Sequence, residues 1–210
     1  MRIFSTKGTK LVEIVEEQFP LEREVQRLTE VNLQELFDLV LIKSEFELHG
    51  LRIDTLAFDK ESGAFVIIEY KRDRNFSVVD QGVAYLNLML NNKADFILEY
   101  LHAFPSQRMN KQDVDWSQSR IIFMAPEFTR HQQYAIGFKD LGIQLWEVHK
   151  YSNGLLVIGG IEQAFKITLV KFIDSTLNLF LFFCFFYFHL RKNFSPNYFL
   201  YSVIKFWPVF

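Results

Sequence analysis

The apolar run Ala64-Phe65-Val66-Ile67-Ile68, followed at once by Glu69-Tyr70-Lys71, constrains this chain more than any other segment. Unbroken apolar residues rich in β-branched side chains predict a strand covered on both faces. Side chains alternate along a strand, so Phe65, Ile67, Glu69 and Lys71 share one face. A carboxylate and an ammonium at the end of a buried strand incur a large desolvation cost unless they are paired or metal-bound. The fold must therefore bring a compensating group to this strand and a layer of structure to each side of it.

Asp54 can serve as that group. Leu51–Phe58 reads as the preceding strand, and Asp59-Lys60-Glu61-Ser62-Gly63 as the turn of an antiparallel hairpin. Asp54 lies five residues before the turn begins at Asp59, and Glu69 lies six after it ends at Gly63. Asp54 shares the Glu69 face only if paired residue numbers sum to an odd number; a one-residue slip sends it to the other face. Sequence alone leaves that register open.

Around the hairpin, residues 11–15 suggest a short strand. Pro20 marks a helix entry, and Leu21, Val25, Leu28, Leu36 and Phe37 follow helical spacing, which predicts a helix over 21–38. A weak strand follows at 44–49. Ser77 and Asp80 resemble a capping pair opening a helix over 78–90, with Asn91-Asn92 as an interruption. Residues 93–101 fit helix or strand, and 102–118 read as a polar loop. Strands are expected at 120–125, 143–148 and 155–158, with a helix over 128–140. Asn153-Gly154 is a hairpin turn signal. The order is helix, three strands, helix, strand, helix, strand: an α/β fold with a mixed sheet flanked by helices.

Two hard carboxylates on adjacent strands, with room for water, suit Mg²⁺ better than zinc. Lys71 is placed to orient an attacking water or to stabilise growing negative charge. This division of labour fits phosphodiester hydrolysis.

Asp54, fourteen intervening residues and then Glu69-Tyr70-Lys71 resembles the D…(D/E)-x-K signature of the PD-(D/E)XK nuclease superfamily. Gln81 and Tyr85, four apart on the next helix, match the Gln-x-x-x-Tyr motif of its RecB-like branch. Glu22-Arg23-Glu24-Val25-Gln26 is similar to the glutamate-bearing first helix of that branch, with Glu22 as the matching acid and Glu24 as its alternative. The stretches around Asp54 and Glu69 look most like the nuclease domain of NucS-like endonucleases, over about residues 10–160. The resemblance implies a restriction-endonuclease-like αβββαβ core and a Mg²⁺- or Mn²⁺-dependent DNA endonuclease. It makes Asp54 and Glu69 metal ligands, Lys71 the catalytic lysine and Glu22 an assistant at the metal. Gln81 and Tyr85 would orient the site or the DNA. NucS-like enzymes carry a separate N-terminal domain for DNA binding and dimerisation. This chain has only about twenty residues there, so flap or mismatch specificity is not carried over. DNA is the expected partner, and a homodimer is allowed. The same fold without turnover, as a DNA-binding or defence-associated module, is the alternative.

Arg52, Arg72 and Arg74 could add a phosphate-binding patch, and a plain solvated loop is the competing reading. His49, His102, His131 and His149 show no ligand spacing. Trp116 could stack on a base, but loop anchoring explains it as well.

Composition divides the chain at about residue 163. Residues 1–163 hold 18 basic and 24 acidic side chains, net −6, whereas 164–210 carry net +4 and half of the 24 phenylalanines. An acidic body excludes a generally basic nucleic-acid coat. Residues 1–163 are therefore read as the nuclease domain and 164–210 as a Phe-rich tail. The uncharged run 175–190 is short for a membrane span and is followed by Arg191-Lys192. Either it is a marginal membrane segment, the one route to a membrane tether, or it is the product of a frameshift or readthrough into A/T-rich DNA. Met1–Pro20 shows no secretory signal, and the lone Cys184 excludes an internal disulfide framework, so a cytoplasmic setting is expected.

Overall fold

Asp54 and Glu69 do share a face, because the hairpin takes the odd register. A computed structural model describes residues 2–72, 77–136 and 141–161, with the main chain of 166–171. Arg74 and the run 175–190 lie outside the described residues. Strand β5 (Leu51–Asp59) pairs antiparallel with β6 (Ala64–Tyr70), Thr55 opposite Ile68 and Leu56 opposite Ile67. All seven residues of β6 are buried, as its composition requires. Gly63, at φ 65°, closes the turn in the left-handed region that a side chain would disfavour.

Before the hairpin come β1 (Ile3–Lys7), β2 (Lys10–Ile14), β3 (Glu16–Glu17), α1 (Glu22–Val31), α2 (Leu33–Phe37) and β4 (Leu39–Leu48). After it come α3 (Val78–Asn91), α4 (Lys93–Ala103), β7 (Arg120–Ala125), α5 (Arg130–Ile136), β8 (Ile143–Tyr151), β9 (Leu155–Ile161) and β10 (Lys166–Lys171). Among the described residues the main sheet runs β10-β9-β8-β7-β6-β5-β4, with β3 added against β8. Strands β6, β7 and β8 are parallel neighbours, and the flanking pairs are antiparallel. This is the expected α/β fold, a mixed sheet flanked by helices with helix, three strands, helix and strand in order. The sheet continues into β10, past the residue-163 boundary drawn from composition.

Both sheet faces are covered. Helices α1 and α2 pack over Ala57, Val66, Ile68, Ile122 and Met124. Helices α3 and α4 bring Tyr85, Met89, Phe96 and Tyr100 against Phe65, Ile67 and Phe123 on the other face. The β1–β2 hairpin rests Ile3 and Ile14 on Tyr151, Leu155 and Val157.

The single helix expected over 21–38 is divided at Asn32, whose side-chain amide donates to the Leu28 carbonyl at 2.7 Å. Asn92 does the same to Leu88 at 2.7 Å and separates α3 from α4. A short amide side chain competes with the helix ladder for a carbonyl and ends the run. That resolves 93–101 as helix. Ser77 stands at the N-cap of α3 but makes no capping side-chain bond. Strand β4 starts at Leu39, earlier than the apolar spacing suggested, once Asp38 turns the chain at φ 57°. Among the described residues no helix is long and apolar enough to cross a membrane.

Candidate active site

The sheet opens where the site lies. The β5–β6 ladder stops at Thr55 and Ile68, and Asp54 is paired in neither that ladder nor the one to β4. Instead, the Asp54 N–H donates to Glu69 Oε1 at 3.0 Å, and the Tyr70 N–H donates to Asp54 Oδ2 at 3.1 Å. Each residue's carboxylate thus accepts a main-chain bond from the opposing strand. Strand β6 stays fastened on its other side, where the Lys71 N–H donates to the Met124 carbonyl at 2.8 Å. The strands part on one flank only, and the two carboxylates stand in the opening.

Two further side chains bond Glu69, and a third, Tyr85, braces one of them. Lys71 Nζ lies 3.4 Å from Glu69 Oε2, with its side chain 16% exposed. Gln81 Nε2 donates to the same oxygen at 2.9 Å and to the Tyr85 hydroxyl at 3.2 Å. The Tyr85 hydroxyl donates onward to the Arg52 carbonyl at 2.6 Å. Gln81 and Tyr85 reach the site because α3 packs closely on the sheet. A Cβ on Gly82 would stand 2.6 Å from the Ile143 Cδ1 and 3.2 Å from the Phe123 ring, so any side chain there would have to displace the end of Ile143.

The electrostatics are unbalanced. Glu69 is 1% exposed. Burial, and then the Asp54 charge, push its carboxyl up to about 7 against the pull of the Asp54 N–H and Lys71. Burial also raises Asp54, opposed by the Tyr70 N–H and Lys71. Tyr85 is raised by burial and then by Glu69. One lysine does not neutralise a buried and a half-buried carboxylate, and the excess negative charge is what a cation would relieve. Among the described residues no three His, Cys, Asp or Glu side chains gather at one point. Two carboxylates with solvent nearby are a donor set for Mg²⁺ or Mn²⁺, ions that keep much of their water, and not for a closed thiolate or imidazole site.

Glu22 opens α1 beside this region, and its Oε1 accepts the Arg72 N–H at 2.8 Å. It therefore holds the chain just past Lys71. Arg72 also donates through Nη1 to the Pro20 carbonyl at 3.4 Å. Arg52 pairs through Nε with Glu45 Oε2 at 3.1 Å. A cavity of about 420 Å³, lined in part by Glu22, Lys71, Arg72, Glu127, Glu147 and His149, adjoins the ends of the parallel strands. There His149 Nδ1 meets Glu16 Oε1 at 2.7 Å, and Glu147 and Glu16 hold the imidazole above its usual range. Trp116 is a loop anchor: it stacks on Phe65 at 5.4 Å, and its Nε1–H donates to the Lys111 carbonyl at 3.1 Å.

Three residues near Asp54 escaped the sequence argument. Gln26 Nε2 donates to the Asp54 carbonyl at 2.9 Å, and Glu30 accepts the Thr55 hydroxyl at 2.6 Å. Their one signal was the polar stripe Glu22, Gln26, Glu30 at four-residue spacing on an otherwise amphipathic helix. Glu45 sits opposite Asp54 in β4, between the Ser44–Thr55 and Phe46–Ile53 pairs, at φ 54°. No sequence pattern announces a glutamate in the left-handed region.

No family model matches the chain. It is similar to an uncharacterized protein of Haemophilus influenzae, with 47% identity over 175 residues, which is 83% of this chain and 58% of that protein. The chain thus spans less than two thirds of that curated relative. Among solved structures it is similar to a repair endonuclease from Pyrococcus abyssi, at 17% identity and a TM-score of 0.40, over 62% of this chain and 48% of that one. An EndoMS–dsDNA complex gives 19% identity and a TM-score of 0.43, over 62% and 47% respectively.

Proposed function

We propose that this chain is a metal-dependent DNA endonuclease. The observation that carries the reading is the cross-strand placement of Asp54 and Glu69. Glu69 is buried and accepts the Asp54 N–H, half-buried Asp54 accepts the Tyr70 N–H, and the pair is short of positive charge, with Lys71 on its flank. The motif set Asp54, Glu69-x-Lys71 and Gln81-x-x-x-Tyr85 supports it from the sequence side.

Asp54 and Glu69 would hold Mg²⁺ or Mn²⁺, which when bound supplies charge neutralisation and Lewis acidity toward a phosphoryl oxygen. Lys71 orients the attacking water or stabilises charge growing on the phosphate. Gln81 fixes the Glu69 carboxylate by donating to it, and Tyr85 fixes Gln81 by accepting from it. Glu22 sets the course of the chain after Lys71 through Arg72. The water oxygen bonds to phosphorus as the phosphorus–oxygen bond to the leaving sugar breaks, giving a phosphate monoester and a free hydroxyl. Arg52, Arg72 and Arg74 are proposed phosphate contacts.

A cleavage assay on plasmid and branched DNA with Mg²⁺ or Mn²⁺ tests this. The wild-type chain should cut, and Glu69→Ala should not. A folded wild-type chain that binds DNA without cutting would make this a binding module. Equal cutting by Glu69→Ala would remove the site from the mechanism.

A further inference from the structure

Asp54 is missing from both ladders that flank it, yet neither of its main-chain polar groups is orphaned. Its N–H goes to Glu69, and its carbonyl is taken from the opposite face of the sheet by Gln26. Gln26 is 6% exposed. Its amide nitrogen carries two hydrogens, and it faces the Asp54 carbonyl at 2.9 Å, Glu30 Oε1 at 3.1 Å and Ser44 Oγ at 3.1 Å. A carbonyl and a carboxylate can only accept, so this arrangement fixes which end of the amide points at Asp54. Glu30 in turn holds the hydroxyl of Thr55, the next residue along. Helix α1 therefore grips the chain at Asp54 and again at Thr55.

That grip is needed because the sheet itself does not supply one. With Glu45 in the left-handed region opposite, nothing in the β4 ladder sets the rotation of the Asp54 peptide. A carboxylate at a reacting centre must be held to a fraction of an ångström, and groups behind it do the holding. We infer that Gln26 is a positioning residue of the active site, which aims the Asp54 carboxylate beside Glu69 by holding the Asp54 carbonyl from the far face. It touches no reacting atom, and the inference rests on the nuclease reading.

The test uses the full chain, with Gln26→Leu and the near-isosteric Gln26→Glu, which retains a polar group but no donor pair. Thr29→Val is the control: Thr29 is buried on the same helix, and its hydroxyl donates to Met124 Sδ at 3.6 Å. Mn²⁺ affinity is measured without DNA by electron paramagnetic resonance, and kcat and KM by cleavage. Both Gln26 variants should lose about 10–100-fold in Mn²⁺ affinity and in kcat, as outer-shell partners do, with KM for DNA unchanged. Thr29→Val should match wild type. Wild-type affinity and kcat in either folded Gln26 variant would overturn the inference, as would an equal loss in Thr29→Val. A wild-type chain that neither binds Mn²⁺ nor cuts defeats the nuclease reading and this inference with it. An active wild type with unaffected Gln26 variants defeats this inference alone.

Discussion

The two ends of the β5–β6 hairpin treat acidic side chains in opposite ways. At the turn end, Asp59 accepts the Glu61 and Ser62 N–H groups and pairs with Arg120 Nη2 at 2.9 Å. Burial pulls this carboxyl upward, but the Ser62 bonds and Arg120 outweigh it and hold Asp59 below the usual range. At the open end, Asp54 and Glu69 face each other with Lys71 as their shared cation, and both are raised. One end lowers the energy of the folded chain, and the other stores electrostatic stress that a bound cation would release. Functional sites are where such stress is kept.

Short of removing a carboxylate itself, the largest effect should come from removing the ammonium at the open end. Lys71→Met should lower kcat by about 10²–10³-fold, the usual loss for one charge-stabilising donor, with DNA binding little changed. Retained cleavage would make Lys71 a structural counter-ion only. The turn end should respond in stability instead. Arg120→Met should cost about 1–3 kcal/mol in urea unfolding, because it leaves a half-buried carboxylate without its charge partner. Per folded molecule, kcat should not move, and a matching kcat loss would dissolve the contrast between the ends.

Glu69→Gln should abolish cleavage yet stabilise the metal-free protein by about 1–2 kcal/mol, as a strained functional site relaxes. The pH dependence separates the same two ends. Glu69 is raised, so the folded state binds its proton more readily, and the metal-free protein gains stability as pH falls through about 7. Asp59 is lowered, so its contribution is full above the unfolded value of about 4 and is lost as pH falls through the lower folded value. Thermal melts should therefore rise and then fall on acidification, with the rise smaller in Glu69→Gln, where only the raised His149 and Asp54 still contribute to it. A flat profile near neutrality in the wild type would contradict the charge imbalance. The smallest effect is expected from Gly82→Ala. Its stability should change by no more than about 1 kcal/mol, since helix propensity and crowding against Ile143 oppose each other. Cleavage should still drop severalfold as α3 moves Gln81 off Glu69, and unchanged kcat would show that the helix has slack.

Much of this was legible in the sequence, for a physical reason. Asp54, Glu69, Gln81 and Tyr85 lie on regular elements, with Lys71 one residue past the end of β6, and periods of two and of nearly four residues place side chains reliably. The apolar run of β6 predicted its own burial, and Asn153-Gly154 its hairpin, with Gly154 at φ 77°. What sequence did not show lies where regularity fails. The break at Asn32 depends on one side-chain bond to Leu28, and the turn of Glu45 on a ladder that has no partner for it. The pairing of β3 with β8 joins Glu16 to Tyr151, and no local pattern encodes a contact across that separation. Gln26 resembled any helical glutamine until the Asp54 carbonyl was seen to need it.

The bond from the Lys71 N–H to the Met124 carbonyl bears on the order of assembly. Every proposed catalytic side chain lies between Glu22 and Tyr85, so the early part of a growing chain already contains the chemistry. The lysine, however, is seated by β7, which comes some fifty residues after it, and parallel pairing across such a crossover forms late. A nascent chain thus passes through a stage at which the carboxylate hairpin can close while its lysine is still unseated. On the nuclease reading, the proposed site would be complete only once β7 has docked.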